Sequence, residues 1–362
     1  MRSWVEVSLS RIRANFRAIK SLVGDAVEVM PVVKADAYRH GAVAVSHALE
    51  TEGARWLAVS NGEEGAILRQ NGCLSRILVM ADFLEDEREA LSAYNLTPVI
   101  HSLEQLAAVR VPYHLKVDTG MNRLGTRATP AEIARAVSSA PAPLEGLMTH
   151  FASSGNYESR QTEEQLERFE CVLSGLRNAG IQPQYIHSSS TIPIAYRRRE
   201  AWGNLVRPGH AIYGYVSPAR GGPSKPALQV APALTWKATV LEVKDVETGG
   251  LIGYGGIHKA ARPMRIAVLA AGYADGIPHR LGNRGQVIVK GKLAPVVGSV
   301  SMDLTTIDVT DCPDLSSGEA VMLLGSEGGV SISAQQMARW AGTISYAVLC
   351  GIHARVKRVY VD

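Results

Sequence analysis

Long apolar runs, paired cysteines and blocks of like charge are all missing from this sequence of 362 residues. It has no stretch of about 18 apolar residues, the length that a membrane-spanning helix needs, and no apolar signal-peptide core at its start. The four cysteines lie far apart and show no C-x-x-C or Cys/His ligand spacing. Such cysteines indicate free thiols in a reducing compartment and no metal site. We therefore expect a soluble, cytoplasmic protein without a membrane partner.

The charged residues also exclude a class of partner. The net charge is +4, and no basic block concentrates it. The densest cluster, the three arginines at 197–199, is more typical of a solvated loop than of a phosphate-binding track. Nucleic acid is therefore not an expected partner. The length exceeds what one hydrophobic core usually supports, so we predict two domains.

Short apolar runs alternate with segments of helical spacing through the first part of the chain. The runs predict eight strands, at residues 27–33, 56–60, 76–80, 97–101, 113–118, 144–150, 185–190 and 204–207. This alternation predicts an α/β fold, namely a (β/α)8 barrel of the TIM type. An open doubly wound sheet would show the same alternation. The barrel is favoured because charged residues fall at the strand ends and no G-x-G-x-x-G follows the first strand.

The composition of the sequence changes near residues 218–232, which are rich in glycine and proline. Beyond them, short strand-like runs separated by turns are typical of a small β domain. We predict that residues 1–228 form the barrel domain and that residues 229–362 form a smaller, mainly-β C-terminal domain. The first strand, at residues 4–9, fits either domain.

Lys34 ends the first predicted barrel strand. Burial at such a position destabilises an ammonium group, and a neutral amine can form a Schiff base with an aldehyde. A lysine that simply marks the strand end and reaches water is the commoner case. The residue alone does not decide between the two.

Lys34 lies in a stretch that reads VKADAYRHG at residues 33–41. This stretch resembles the pyridoxal-phosphate signature of alanine racemases, K-A-(D/N)-A-Y-G-H-G, with Arg39 in the place of the usual glycine. The resemblance implies that Lys34 carries pyridoxal 5′-phosphate and that Tyr38 belongs to the cofactor site.

A second stretch with several ionisable residues, HLKVDTGMNRLG at residues 114–125, is similar to the family's K-x-D-T-G-M-x-R-x-G run. Strand alternation places His114, Lys116 and Asp118 on one face, pointing toward the barrel axis. The resemblance implies that Arg123 binds the substrate carboxylate. It also implies that Lys116 is a candidate for carbamylation, since the matching lysine of relatives often is carbamylated.

Three further barrel segments match the family. The resemblance implies that His150 stacks on the cofactor ring and bonds to the catalytic tyrosine, and that Thr191 stands in for a phosphate-binding serine. Residues 206–214, VRPGHAIYG, are similar to R-P-G-x-x-x-Y-G. Gly209 and His210 would present backbone N–H groups to the phosphate. Arg207 would face the pyridine nitrogen, where a permanent cation cannot accept a proton and therefore disfavours transamination.

The β domain supplies the remaining matched residues. The resemblance implies that Tyr254 is the catalytic tyrosine, that Tyr273 lines the site entry, that Met302 offers its backbone N–H to the substrate carboxylate, and that Tyr346 bonds the phosphate. Relatives usually carry other residues at Ser301 and Ala347. In the family the segments that match Tyr254, Tyr273 and Met302 come from the partner subunit, which implies a head-to-tail homodimer with shared active sites.

The resemblance covers residues 4–360 and identifies the sequence as a member of the alanine racemase family. It implies interconversion of L- and D-alanine, with Lys34 and Tyr254 as bases on opposite faces, and a supply of D-alanine for peptidoglycan. A racemase of broader specificity, acting on serine or basic amino acids, is the nearest alternative. A decarboxylase or aldolase on the same cofactor would not be expected to combine Arg207 with Tyr254. A non-catalytic pyridoxal-binding protein would tolerate loss of Tyr254 or Arg123.

Overall fold

The computed structural model describes residues 1–81 and 84–362. Packing divides the chain into two compact units. The barrel unit comprises Arg11–Ala37 and Ala42–Ala231, and the β unit comprises Met1–Ser10, Tyr38–Gly41 and Pro232–Asp362. Within the described ranges, no helix is both long and apolar enough to cross a bilayer.

The chain begins with strand β1 (Ser3–Ser8) and helix α1 (Leu9–Val23), and eight strands of the barrel unit follow. These are β2 (Glu28–Val29), β3 (Trp56–Val59), β4 (Arg76–Val79), β5 (Leu96–Ile100), β6 (Tyr113–Lys116), β7 (Leu144–Met148), β8 (Tyr185–His187) and β9 (Leu205–Val206). Strands β3 to β8 form one parallel sheet, and β2 pairs with β9.

Backbone hydrogen bonds join β2 and β9 to the two edges of that sheet. Ala58 N–H donates to the Pro31 carbonyl at 2.9 Å, and Arg207 N–H donates to the Ser189 carbonyl, also at 2.9 Å. The eight strands are thereby closed into a ring, and the predicted barrel class is confirmed. Strands β3, β5 and β6 are buried throughout, as expected for parallel strands covered on both faces.

Helices connect the strands of the barrel unit. They are α2 (Lys34–Arg39), α3 (Ala42–Thr51), α4 (Gly62–Gln70), α5 (Arg88–Ala93), α6 (Pro130–Ser138), α7 (Gln161–Asn178) and α8 (Thr191–Ala195), with 3-10 turns at Glu104–Ala108 and Arg199–Ala201. Helix α6 shows why such segments begin where they do. Thr129 and Glu132 form a reciprocal capping box and Pro130 takes the first helical position, so the first N–H groups are satisfied or absent.

Helix α2 is a left-handed turn that the sequence gives no reason to expect. From Ala35 to Arg39 every residue has φ between 53° and 65°. For residues with a Cβ this conformation costs about 1–2 kcal/mol each. Local contacts hold it: Ala35 N–H donates to Glu64 Oε1 at 2.7 Å, and Ala42 N–H donates to Asp36 Oδ1 at 2.8 Å. Lys34 thus stands at the start of a strained segment directly after the first barrel strand.

The β unit is mainly β, as predicted. Its strands after β1 are β10 (Leu234–Val246), β11 (Leu251–Ile252), β12 (His258–Lys259), β13 (Met264–Leu269), β14 (Gln286–Val289), β15 (Lys292–Pro295), β16 (Thr305–Asp308), β17 (Ala320–Glu327), β18 (Val330–Ile332) and β19 (Lys357–Val361). It also contains helices α9 (Ala334–Ala341) and α10 (Ser345–Cys350). Strand β10 pairs with β1, β13 and β17, and its first half alternates between buried and half-buried residues, as a strand packed on one face does.

Candidate active site

Cationic side chains gather at the carboxyl ends of the barrel strands. Lys34 follows β2, Lys116 ends β6 and Arg207 follows β9. Burial, followed by the charges of Arg123, Arg207 and other nearby groups, lowers the pKa of Lys116 to about 8. The ammonium groups of Lys34 and Lys116 form no hydrogen bond or ion pair with any described residue. A site with this much unpaired positive charge is built for anions.

Asp118 does not complete the charged row predicted on β6. The strand ends at Lys116, and the alternation of faces ends with it. The Asp118 carboxylate accepts from Arg127 Nη2 at 2.8 Å and from the N–H groups of Gly120 and Asn122. Its charge therefore stabilises the following loop, and His114 and Lys116 are the buried polar pair of this strand.

Arg207 is the most deeply buried of these cations, with 2% of its surface exposed. Its Nη2 donates to the carbonyls of Thr149 at 2.8 Å and Ser188 at 3.1 Å, and its Nη1 bonds Nδ1 of His187 at 2.6 Å. Among the described residues it has no carboxylate partner, and its Nε–H has no acceptor. The guanidinium is therefore held in place while part of its donor set stays unused.

His150 is kept neutral by its surroundings. Burial, followed by the charges of Arg207 and Lys116, lowers the pKa of His150 to about 3. Its Nδ1 lies 3.3 Å from Arg207 Nη2. A guanidinium only donates, so Nδ1 of His150 accepts and its hydrogen is on Nε2.

Thr191 and the turn after β9 form a cluster of backbone donors. The Thr191 hydroxyl, which is buried, accepts from the N–H of Gly209 at 3.3 Å and from the N–H of Ala211 at 3.2 Å. Both acceptor positions of the oxygen are then used, and its own hydrogen is left to donate to an anion. The His210 ring stacks on Tyr215, with centroids 5.0 Å apart, and this stacking fixes the turn.

These residues fit pyridoxal 5′-phosphate. Its phosphate suits the hydroxyl of Thr191, its ring nitrogen suits an unused N–H of Arg207, and its aldehyde suits the unpaired amine of Lys34. The structure thus brings together, within the barrel unit, the residues that the resemblance assigned to the cofactor: Lys34, His150, Thr191, Arg207, Gly209 and His210.

Of the other predicted residues, Lys116 and Arg123 lie in the barrel unit and the rest lie in the β unit. The rings of Tyr38 and Tyr346 are neighbours, with centroids 6.0 Å apart, and burial raises the pKa of both phenols. Tyr273 and Met302 lie on adjoining loops, because Tyr273 N–H donates to the carbonyl of Ser301 at 3.0 Å. Tyr254 begins a 3-10 turn and is 79% exposed.

His187 is the principal neighbour of Arg207 to which the sequence analysis gave no role. It is fully buried, and besides bonding Arg207 it places its Nε2 at 2.7 Å from Nδ1 of His114. The available signal was position: both histidines lie within short barrel strands whose other residues are largely apolar. What the sequence does not show is that the two rings meet.

Comparison with known proteins gives a consistent result along the whole chain. Family models described as the N-terminal and C-terminal domains of alanine racemase match residues 7–218 and 233–360. The alanine racemase of Halothermothrix orenii is 40% identical over 369 residues, which cover 99% of this chain and 96% of that protein. The alanine racemase of Carboxydothermus hydrogenoformans is 40% identical over 368 residues, covering 99% of each.

A solved structure agrees with these sequence matches. The crystal structure of alanine racemase from Bacillus anthracis with bound L-Ala-P superposes with a TM-score of 0.92 at 31% identity. The match covers all of this chain and 95% of that one. The chain therefore belongs to the alanine racemase family, whose members are racemase enzymes.

Proposed function

We propose that this chain interconverts L-alanine and D-alanine with pyridoxal 5′-phosphate held by Lys34, and that it supplies D-alanine for peptidoglycan. The proposal rests on Arg207, a buried cation that no carboxylate of the described residues contacts and that lies beside a neutral His150. When bound, pyridoxal 5′-phosphate supplies an aldehyde for covalent attachment and an electron-withdrawing ring that acidifies the Cα–H of an amino acid.

Arg207 selects racemisation among the reactions that this cofactor supports. Its guanidinium would donate to the ring nitrogen and would remain charged, so it would take no proton from that atom. The electron withdrawal available to the substrate is then moderate, which favours return of the proton to Cα over transamination. A decarboxylase or aldolase gains nothing from this arrangement.

Two bases are needed to invert Cα, and the chain offers one in each unit. The amine of Lys34 would move the Cα proton on the D-alanine face, and the phenol of Tyr254 would move it on the L-alanine face. A free phenol has a pKa of about 10 and is a poor base near neutral pH. The neutral His150 can donate its Nε2–H to the phenol oxygen and so support its deprotonated form.

A second copy of the chain would complete each site. Tyr254 is 79% exposed, and its neighbours Leu251 and Ile257 are 68% and 58% exposed. A catalytic base works best when water is excluded, and exposed apolar side chains of this kind mark interfaces. A head-to-tail homodimer with shared active sites would cover this loop. In it, Arg123 would bind the substrate carboxylate as a fork, with the backbone N–H of Met302 as a second donor and Tyr273 at the entry.

A cytoplasmic location belongs to the same proposal. Cys73, Cys171 and Cys312 are reduced thiols, and Cys73 and Cys312 are buried. Free thiols are typical of proteins that work in a reducing compartment.

Lys116 is expected to be carbamylated when bicarbonate is present. Its pKa of about 8 raises the neutral fraction near pH 7 by roughly two orders of magnitude over an ordinary lysine. The neutral amine attacks CO2, an N–C bond forms, and the nitrogen releases one proton to water. The resulting carbamate would satisfy the cations around Lys116 and orient Arg123.

Carbon-13 NMR of the full chain in labelled bicarbonate measures this modification directly. We expect one carbamate signal that Lys116→Ala abolishes and that Lys20→Ala, on the exposed face of α1, leaves intact. Because only the neutral amine reacts, the rate of carbamylation at a fixed concentration of dissolved CO2 is expected to rise from pH 7 to pH 9. A spectrum without a carbamate signal at pH 9 would contradict the proposal for Lys116.

The racemase activity itself is tested with L-alanine in heavy water, purified chain and pyridoxal 5′-phosphate. We expect loss of the Cα proton signal in NMR and appearance of D-alanine in chiral chromatography. The same assay with serine, lysine and arginine measures the breadth of the substrate pocket. Intact alanine beside exchanged serine or lysine would favour the broader racemase. Unexchanged amino acids throughout would refute racemase function.

A further inference from the structure

A chain of buried polar groups crosses the barrel from Arg207 to Glu145. Arg207 Nη1 lies 2.6 Å from His187 Nδ1, and His187 Nε2 lies 2.7 Å from His114 Nδ1. His114 Nε2 lies 3.7 Å from Glu145 Oε2, a distance of electrostatic contact rather than a hydrogen bond. Both histidines are fully buried, and 13% of the Glu145 side chain is exposed. Glu145 lies near the amino end of β7, opposite the end at which Arg207 sits.

The hydrogen bonds between these buried polar groups all run in one direction. A guanidinium only donates, so Nδ1 of His187 must accept. A neutral His187 then carries its hydrogen on Nε2 and donates to Nδ1 of His114. His114 in turn carries its hydrogen on Nε2, the atom that faces Glu145 and has no hydrogen-bond partner among the described residues. Every donor therefore points toward the same carboxylate.

The charges agree with this direction. Burial, followed by the charge of Arg207, lowers the pKa of His187 well below its usual value. Burial also lowers the pKa of His114, against the opposing attraction of Glu145. Burial alone would raise the pKa of Glu145, but its contacts with His114 and Arg76 outweigh burial and hold that pKa at about 2. Two neutral imidazoles thus separate a buried cation from an anion.

The residues that pack around these polar groups hold Glu145 and His114 in place. Arg76 donates to both carboxylate oxygens of Glu145 at 2.7 Å, which leaves the carboxylate little freedom. The Trp56 ring lies between, with its centroid 5.5 Å from His114 and 4.0 Å from the Arg76 guanidinium carbon. At Gly146 a Cβ would lie 2.5 Å from His114 Nδ1, so the ring fits because this residue has no side chain.

We propose that Glu145 is a positioning residue for Arg207, acting through His114 and His187 across the barrel. Its negative charge lies 3.7 Å from His114 Nε2 and favours the hydrogen on that atom, which reinforces the tautomers that Arg207 imposes and keeps Nδ1 of His187 an acceptor. That acceptor holds the guanidinium in the orientation in which its unused N–H groups face the cofactor site. The role for catalysis rests on the function proposed above, whereas the tautomers are a property of the chain without cofactor.

The test is nitrogen-15 NMR of the full chain labelled at histidine, with signals assigned through His114→Asn and His187→Asn. In the wild type both rings are expected to be neutral with the hydrogen on Nε2. In Glu145→Gln, the single amide oxygen would accept from Arg76, so the amide NH2 would face His114. We expect the fraction of His114 with its hydrogen on Nδ1 to rise and the His187–Arg207 hydrogen bond to weaken. The kcat is expected to fall roughly 10-fold with little change in KM, as for the outer partners of ligand histidines.

Glu28→Gln is the matched control. Glu28 begins β2, pairs with Arg55 and has 14% of its side chain exposed, but it does not touch the histidines. It is expected to keep wild-type tautomers and kcat. A folded Glu145→Gln with unchanged tautomers would overturn the inference. If that variant does not fold, the wild-type spectrum decides, since a hydrogen on Nδ1 of either ring overturns it. If the wild-type protein has both expected tautomers but does not racemise alanine, the proposed function is refuted. The inference that Glu145 acts on the two imidazoles then still stands.

Discussion

Replacement of Lys34 by alanine is expected to reduce racemisation in both directions by roughly 10⁴-fold, because it removes the amine proposed to hold the cofactor, which is also one of the two proposed bases. The Lys34 side chain is half-buried and has no hydrogen-bond or ion-pair partner among the described residues. Its removal therefore leaves no buried partner group unpaired, and the fold is expected to survive. Initial rates from each enantiomer, followed by chiral chromatography, measure the loss.

Two controls separate the role of Lys34 from general damage. Lys20→Ala, on the exposed face of α1, is expected to keep wild-type rates. Added methylamine should partly restore Lys34→Ala, since a small free amine can replace the lost proton carrier. Wild-type rates in Lys34→Ala, with cofactor still covalently bound, would place the reactive lysine elsewhere in the chain.

Replacement of Tyr254 by phenylalanine is expected to act on one enantiomer more than the other. The change removes a single oxygen from an exposed side chain, so the free energy of unfolding should change by no more than about 0.5 kcal/mol. Exchange of the Cα proton of L-alanine should fall by roughly 10³-fold, while exchange from D-alanine, which depends on Lys34, should fall much less. NMR in heavy water measures both exchange rates.

Tyr94→Phe serves as the control for loss of a phenol. Tyr94 follows α5 in the barrel unit, where its hydroxyl accepts from Gln70 Nε2 at 2.7 Å. Both exchange rates should stay at wild-type values in this variant. Equal losses from L- and D-alanine in Tyr254→Phe would contradict the assignment of separate bases to the two faces.

The barrel was predictable because its strands are short apolar runs that end in turn residues. Each of the eight predicted runs overlaps a strand in the structure, although β2 and β9 pair over only two residues each. The turn at Lys34–Arg39 was not predictable. Alanine, tyrosine and arginine all prefer the right-handed region, and one of the contacts that overrule this preference comes from Glu64, which is 29 residues away from Ala35 in the sequence.

The candidate site was predictable where a family motif names the residue, and unpredictable where rings from separate strands meet. Alternation correctly gave His114 and Lys116 a buried face, but not the end of β6 before Asp118. The contact between His114 and His187 joins β6 to β8, which are not adjacent in the sheet. Sequence spacing carries no information on which inward side chains touch across a barrel.

The left-handed turn α2 also bears on the order in which the chain folds. Taken alone, Ala35 to Arg39 would be right-handed or extended, so the turn has no local tendency to form early. It needs Glu64 of α4 and the start of α3 already in place. The barrel strands can therefore assemble before Lys34 reaches its final position. Uptake of the cofactor would then report formation of this turn in addition to formation of the barrel.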